Sequence, residues 1–414
     1  MHNFAVLFLA FFALSIVVKF WLSQRHLSHI QKHRAQVPEA FSEKISLEEH
    51  QKAADYTSTK VKFGRLPLIY DAAILLAWTF GGGLELLDQF ARGYELSPIY
   101  TGILVILSMM LISSLLDLPF SLYSTFVIEE KFGFNRTTLK TFIIDMFKGA
   151  TLALILGVPL IWVVLWLMEQ ALELQFWWVY AWLILTGFSL FIAWAYPTWI
   201  APIFNKFSPL EEGETLNRIT SLLKRCGFNS DGIFVIDGSK RSSHGNAYFS
   251  GFGKNKRIVF YDTLLESLSD DELEAVLAHE LGHFKRKHIV KGMAISFATT
   301  FIGLAILDWL MKAEWFYNAL GVSTSSTYMA LLLFTIVAPV FTFLLSPIMS
   351  MFSRKNEFEA DDYAAEQSEA KYLIHALVNL YKENANTLTP DPLYSAFYDS
   401  HPPAPVRIAN LAKH

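Results

Sequence analysis

Residues 149–168 read GATLALILGVPLIWVVLWLM, an unbroken stretch without an ionisable side chain. A helix of about 20 residues rises about 30 Å, the thickness of a bilayer's hydrocarbon core. Buried helices of soluble proteins give shorter apolar runs, about 10–14 residues. Similar runs lie near 4–22, 66–87, 99–124, 176–203, 289–311 and 328–350, so with 147–168 the chain has seven candidate spans. The first has no basic leader and no small-residue cleavage site, and reads as an anchor. Tryptophans gather at several span ends (Trp21, Trp177, Trp178, Trp199, Trp309), where an indole is half solvated.

The composition agrees. Of 414 residues, 53% are hydrophobic and 17% charged, against about a quarter charged in soluble domains. Disordered, collagen-like and disulfide-framed chains are excluded, the last because Cys226 stands alone. A net charge of −4 leaves no basic excess to neutralise phosphates, so no nucleic-acid partner is expected.

Lysine and arginine set the orientation. The segments 23–65, 88–98, 125–146 (extended to Lys148), 169–175, 204–288, 312–327 and 351–414 carry 8, 1, 4, 0, 12, 1 and 6 of them. The positive-inside rule makes the odd-numbered segments cytoplasmic. The expected division is spans 1–5 over 1–203 with cytoplasmic loops 23–65 and 125–146, then the connection 204–288, spans 6–7 over 289–350, and the tail 351–414. Asp71, Asp117 and Glu85 fall within or near the ends of spans. Either they mark helix ends or they face an internal polar cavity.

In the large connection a helix is expected near 213–226, followed by strand-like runs at Gly232–Asp237 and Arg257–Tyr261. Between them Ser239–Lys256 is rich in serine and glycine, with a short extended candidate at Asn246–Ser250. The stretch SLSDDELEAVLAHELGHFKRKH (267–288) follows. Ser269 with Glu272 forms a capping box that starts a helix. On it His279 and His283, four residues apart, project from one face and can share a metal ion. Glu280 stands beside them to take a proton from a metal-bound water. This is the H-E-x-x-H zinc pattern, and zinc suits imidazole and carboxylate in an open tetrahedral site. The plainer alternative is a charged helix with two solvated histidines.

The third ligand must lie on the same membrane face. The sixth span leaves just after His283 and the seventh returns by residue 350, followed by SRKNEFEADDYA. Glu357 there completes a His₂Glu set with one position open for water. Asp361, one turn on, can hold a ligand imidazole from behind. Glu359, Asp362 and Glu366 read as a solvated helix face. In DSHPPAPVRI, His401 precedes two prolines in a stiff turn and can hydrogen-bond an oxyanion, while Arg407 can bind a substrate carboxylate. Both also read as ordinary loop residues. His26, His29, His33, His244, His288 and His375 have no matching partner spacing.

HELGH, a membrane hairpin and SRKNEFEAD together resemble the integral-membrane zinc metallopeptidases that include the type I CAAX prenyl endopeptidases. IEEKFGFNRTT (128–138), DGSKRSSHGNAYFSGFGKNKRIVFYDTLL (237–265) and SHPP (400–403) are similar to that family's signature stretches. The resemblance implies one zinc ion per chain on His279, His283 and Glu357, with Glu280 as base. It implies a proton-handling or supporting part for Asp361, an edge strand beside substrate at Asn246 and Ala247, and an HPP segment with His401 and Arg407 lining the site. It also implies a mainly α fold, in which seven spanning helices enclose a water-filled chamber above a cytoplasmic zinc domain with a small β-element.

The expected activity is zinc-dependent endopeptidase cleavage near the C-terminus of peptide or protein substrates, with or without a prenylated C-a-a-X end. The rivals are a quality-control membrane protease without prenyl specificity and a chamber-forming binding or transport protein with structural zinc. Compact loops and the lack of a K-D-E-L ending favour a bacterial inner membrane over the endoplasmic reticulum.

Overall fold

The computed structural model describes residues 2–251 and 256–414. Residues 252–255, which belong to the Ser239–Lys256 connection and to the 237–265 resemblance, lie outside the described residues. All seven apolar runs lie on helices. Six helices can each cross a bilayer, and a seventh span is a pair, Leu47–Trp78 and Gly83–Arg92, bent by 51°. The bend falls on consecutive glycines. Gly82 has φ +76°, and a β-carbon on Gly81 would stand 2.7 Å from the Ala77 carbonyl oxygen.

Several helices overshoot the bilayer on one side. The first runs Asn3–His33. The second opens at Leu47 under a Ser46–Glu49 capping box, well before its apolar run begins. The last span, Thr327–Thr342, continues through a tighter turn into Ser346–Gln367. A run of 41 residues is about 60 Å long, twice the hydrocarbon thickness. Its charged second half therefore lies outside the hydrocarbon.

Packing is concentrated at the two ends of the span bundle. One core joins Phe8, Leu84, Val105, Leu165, Trp177, Leu307 and Tyr328, at the ends of the spans away from HELGH. The other joins Phe41, Ile219, Phe260, Leu273, Tyr363, Leu377 and Leu411, from segments 23–65, 204–288 and 351–414. Segment 125–146 attaches to it through Asp145 and Arg241 (2.7 and 3.0 Å) and an Asn135–Ser242 bridge. On the opposite side Glu85 accepts from the Ser323 amide (2.8 Å), and Glu169 accepts from Thr327 (2.6 Å). Glu85 is thus a helix-end residue.

Between the two cores few side chains are buried. In the sixth span, His288–Met311, the buried residues are His288 at one end and Leu304, Leu307 and Leu310 at the other. The accessible surface is 21198 Å² for 47.1 kDa, whereas a compact monomer of this mass exposes about 16,000 Å². The excess and its distribution describe a hollow bundle. Asp71 and Lys19 line a cavity.

The β-element is one four-stranded sheet: β1 (Phe207–Pro209), β2 (Ile233–Ile236), β3 (Ala247–Ser250) and β4 (Arg257–Tyr261), in the order β1-β2-β4-β3. β2 and β4 run parallel, and β3 lies antiparallel on β4 with Ala247 opposite Phe260. β3 is therefore an edge strand. β1 is too short, and ends in proline, to leave a periodic signal.

Candidate metal centre

The motif helix spans Asp270–Lys285. Its capping box is made in both directions: the Ser269 hydroxyl accepts from the Glu272 amide and Glu272 accepts from the Ser269 amide. This start sets the phase of the helix, which turns His279 and His283 toward the helix Ser346–Gln367. The two helices pack through Gly282 and Ala360. Glu357, on the second helix, thereby meets both histidines.

The three side chains converge. His279 Nε2 and His283 Nε2 are 3.2 Å apart. Glu357 Oε1 is 3.2 Å from His283 Nε2, and its Oε2 is 3.5 Å from His279 Nε2. Donors held tetrahedrally about 2.0–2.1 Å from zinc stand about 3.3–3.4 Å apart. The observed spacings match. Two imidazole nitrogens facing each other beside a carboxylate need a cation or a proton among them. Glu357 Oε2 is also buried without an aligned hydrogen bond, although His401 Nδ1 approaches to 2.8 Å. Among the described residues this is the one cluster of three such donors. Nitrogen, nitrogen and oxygen at this spacing fit a His₂Glu zinc site.

Asp361 lies behind His279, its Oδ1 2.9 Å from Nδ1. That contact places the His279 proton on Nδ1 and leaves the Nε2 lone pair facing the cluster. Arg407 grips the same carboxylate with two bonds, Nε to Oδ2 at 2.9 Å and Nη2 to Oδ1 at 2.6 Å. All three groups are buried. Burial and the Arg407 charge push the His279 pKa down, but hydrogen bonds to Asp361 and Glu357 carry it above its ordinary value. Burial pulls the Arg407 pKa down, and the paired Asp361 more than restores it. Arg407 therefore stands in the supporting network of the cluster, 3.6 Å from Glu357, with its charge committed to Asp361.

Glu280 is half-buried beside His279 and makes no hydrogen bond or ion pair among the described residues. His401 is largely exposed and lines a cavity of about 770 Å³, whose walls also carry Lys19, Arg65, Asp71, Tyr394 and Asp399. Asn246 and Ala247 open the edge strand β3. The Asn246 carbonyl accepts from the Tyr261 amide and its side chain from the Ala247 amide, while among the described residues the outer side of β3 has no partner strand.

Histidines set aside in the sequence prove to be integrated, His26, His244 and His288 among them. His244 stacks on Phe134 with centroids 4.4 Å apart, and its Nδ1 lies 3.1 Å from Asn384 Oδ1. It joins the 128–138 and 237–265 stretches just before β3. His288 is buried against His283, and Glu359, read as a solvated carboxylate, meets it at 3.0 Å. The available signal was local: a histidine five residues beyond the motif, at the junction of the motif helix with the sixth span.

Comparison with known proteins agrees with this architecture. Residues 26–206 match the family "CAAX prenyl protease N-terminal, five membrane helices", and residues 209–414 match "Peptidase family M48". CAAX prenyl protease 1 of Saccharomyces cerevisiae is 36% identical over 91% of this chain and 88% of its own. The Homo sapiens CAAX prenyl protease 1 homolog is 32% identical over 94% and 91%. The crystal structure of S. mikatae Ste24p superposes with a TM-score of 0.93 at 33% identity, covering 99% of each chain. These relatives are eukaryotic and lend the bacterial-membrane expectation no support. The chain is a multi-pass membrane metallopeptidase and belongs to peptidase family M48, in its CAAX prenyl protease branch.

Proposed function

We propose that this protein is a zinc endopeptidase that cleaves near the C-terminus of prenylated C-a-a-X substrates. The observation that carries the reading is the convergence of His279, His283 and Glu357 at tetrahedral spacing beside an uncommitted Glu280. His279, His283 and Glu357 would hold one zinc ion, which would supply Lewis-acid chemistry that brings the pKa of a water toward neutrality.

The protein groups do the rest. Glu280 accepts the proton of the attacking water and returns it to the leaving amine. Asp361, held by Arg407, keeps His279 in the tautomer that presents Nε2. His401, exposed to the cavity, donates a hydrogen bond to the carbonyl oxygen as negative charge develops. The free edge of β3 from Asn246 and Ala247 onward takes an extended substrate by main-chain pairing, which gives affinity with few side-chain demands. The charge pattern of the connecting segments puts the site on the cytoplasmic face.

The test compares a farnesylated C-a-a-X peptide with its unprenylated twin and an unrelated peptide. Faster cleavage of the farnesylated peptide supports the reading. Equal rates on all three shift it to a general membrane protease. Zinc retention with no cleavage of any peptide would sink the enzymatic reading.

A further inference from the structure

Both histidine ligands have a buried partner behind them, but the partners differ. Behind His279 stands Asp361. Behind His283 stands another histidine: His283 Nδ1 and His288 Nδ1 are 3.0 Å apart, and His288 Nε2 is 3.0 Å from Glu359 Oε2. His288 is buried, and Glu359 is about one-third exposed. Lys291 and Lys355 stand 3.8 and 3.9 Å from the Glu359 carboxylate.

With a cation among His279, His283 and Glu357, one tautomer assignment satisfies every contact. If His283 directs its Nε2 lone pair at Glu357 and His279, its proton lies on Nδ1 and is donated to His288 Nδ1. The His288 proton then lies on Nε2 and is donated to Glu359. With neutral rings, the reverse assignment sets the His288 Nε2 lone pair against a carboxylate oxygen at 3.0 Å, with no proton between them. The geometry points to His288 and Glu359 as positioning residues that fix the tautomer and ring orientation of His283.

The placement of the pair adds a second function. His288 is the first residue of the sixth-span helix, and Glu359 lies on the helix that continues the seventh span. Their contact ties both legs of the membrane hairpin to one zinc ligand. The chain makes a specific turn to achieve this: Lys287 has φ +58°, a left-handed conformation unfavourable for any residue but glycine. That turn lies between the motif helix and the span, beside the His288–His283 contact. Zinc retention is thereby coupled to the packing of spans six and seven. This inference rests on the zinc-site reading but not on the substrate.

The experiment uses the full-length, zinc-loaded protein in detergent and follows zinc transfer to a chelator, alongside thermal unfolding with and without zinc. His288→Ala is expected to release zinc about 10–100-fold faster. His288→Asn, whose amide oxygen still accepts from His283, is expected to fall between it and the parent. Glu359→Gln is expected to accelerate release by a smaller factor, and to add nothing when combined with His288→Ala. Lys287→Gly, which keeps the turn without strain, is expected to match the parent. In the His288 and Glu359 variants the zinc-dependent rise in Tm shrinks in step with faster release, while the zinc-free Tm of His288→Asn and Glu359→Gln stays at the parent value. Parental release rates in both of those variants would overturn the proposal. So would an equal loss of Tm with and without zinc, which would make His288 a packing residue only. Absence of peptide cleavage by the parent would overturn the proposed function and leave this result standing.

Discussion

Gly282 and Ala360 touch backbone to backbone: a β-carbon on Gly282 would stand 2.9 Å from both the Cα and the carbonyl oxygen of Ala360. Neither atom can move aside without moving its helix. The glycine between the two histidines thus sets how closely Glu357 approaches them.

Gly282→Ala should therefore weaken zinc binding even though alanine is the better helix former. The propensity gain is about 1 kcal/mol, and the overpacking cost about 1–3 kcal/mol. Net stability should fall slightly and zinc release should accelerate, with Gly282→Val worse on both. Thermal unfolding and chelator competition measure the two effects. An unchanged release rate for Gly282→Val would show that helix spacing does not govern the site.

Glu280→Gln should keep zinc and lose cleavage. General-base catalysis contributes about 10²–10⁴-fold, so turnover should drop by at least that lower bound with metal content at one per chain. Metal analysis beside a fluorogenic peptide assay reads both. Undiminished turnover would remove Glu280 from its role.

The Asp361–Arg407 pair should show strong coupling. Removing Asp361 alone leaves a buried guanidinium without its partner, and such losses cost about 3–5 kcal/mol. Asp361→Ala and Arg407→Leu should each destabilise strongly, and the double variant should cost less than their sum. Its stability should recover further than its zinc affinity, because His279 would still lack an orienting acceptor. Denaturant titrations of the four proteins test this, and simple additivity would count against it.

Asp391 supplies a pH test remote from the metal. It is buried, accepts from Arg25 Nε at 2.9 Å, and caps the helix Pro392–Tyr398 through the Leu393 and Tyr394 amides. Burial pushes its carboxyl up, but the Tyr394 amide and Arg25 hold it below the ordinary value. The folded state thus binds fewer protons than the unfolded chain in acid. The stabilisation is complete above the ordinary carboxylate value and is lost as pH falls through the lower folded value. Asp391→Asn should cost about 1–2 kcal/mol at neutral pH, and the Tm gap to the parent should close only below about pH 4. A gap that closes near neutrality would refute the assignment.

Much of this protein was legible in its sequence where the controlling physics is local. The run at 149–168 had to be a spanning helix, because its length and lack of charge leave few other stable options. Ser269 and Glu272 announced the motif helix, and four-residue spacing put His279 and His283 on one face. Even Glu357 was within reach, since a hairpin of two spans returns the chain to the face it left.

The tertiary structure decided what depends on partners distant in the chain. An apolar residue looks the same in sequence whether it faces lipid or a chamber, so the hollow between the two cores could not be read from hydropathy. Glu359 carried the pattern of a solvated carboxylate until His288 arrived from another helix. Arg407 read either as a group for a substrate carboxylate or as an ordinary loop residue, and the fold buries it against Asp361. Charge and hydrogen-bonding capacity are written in the residue, but whether a group is spent on a neighbour or left open for chemistry is set only when the chain closes around it.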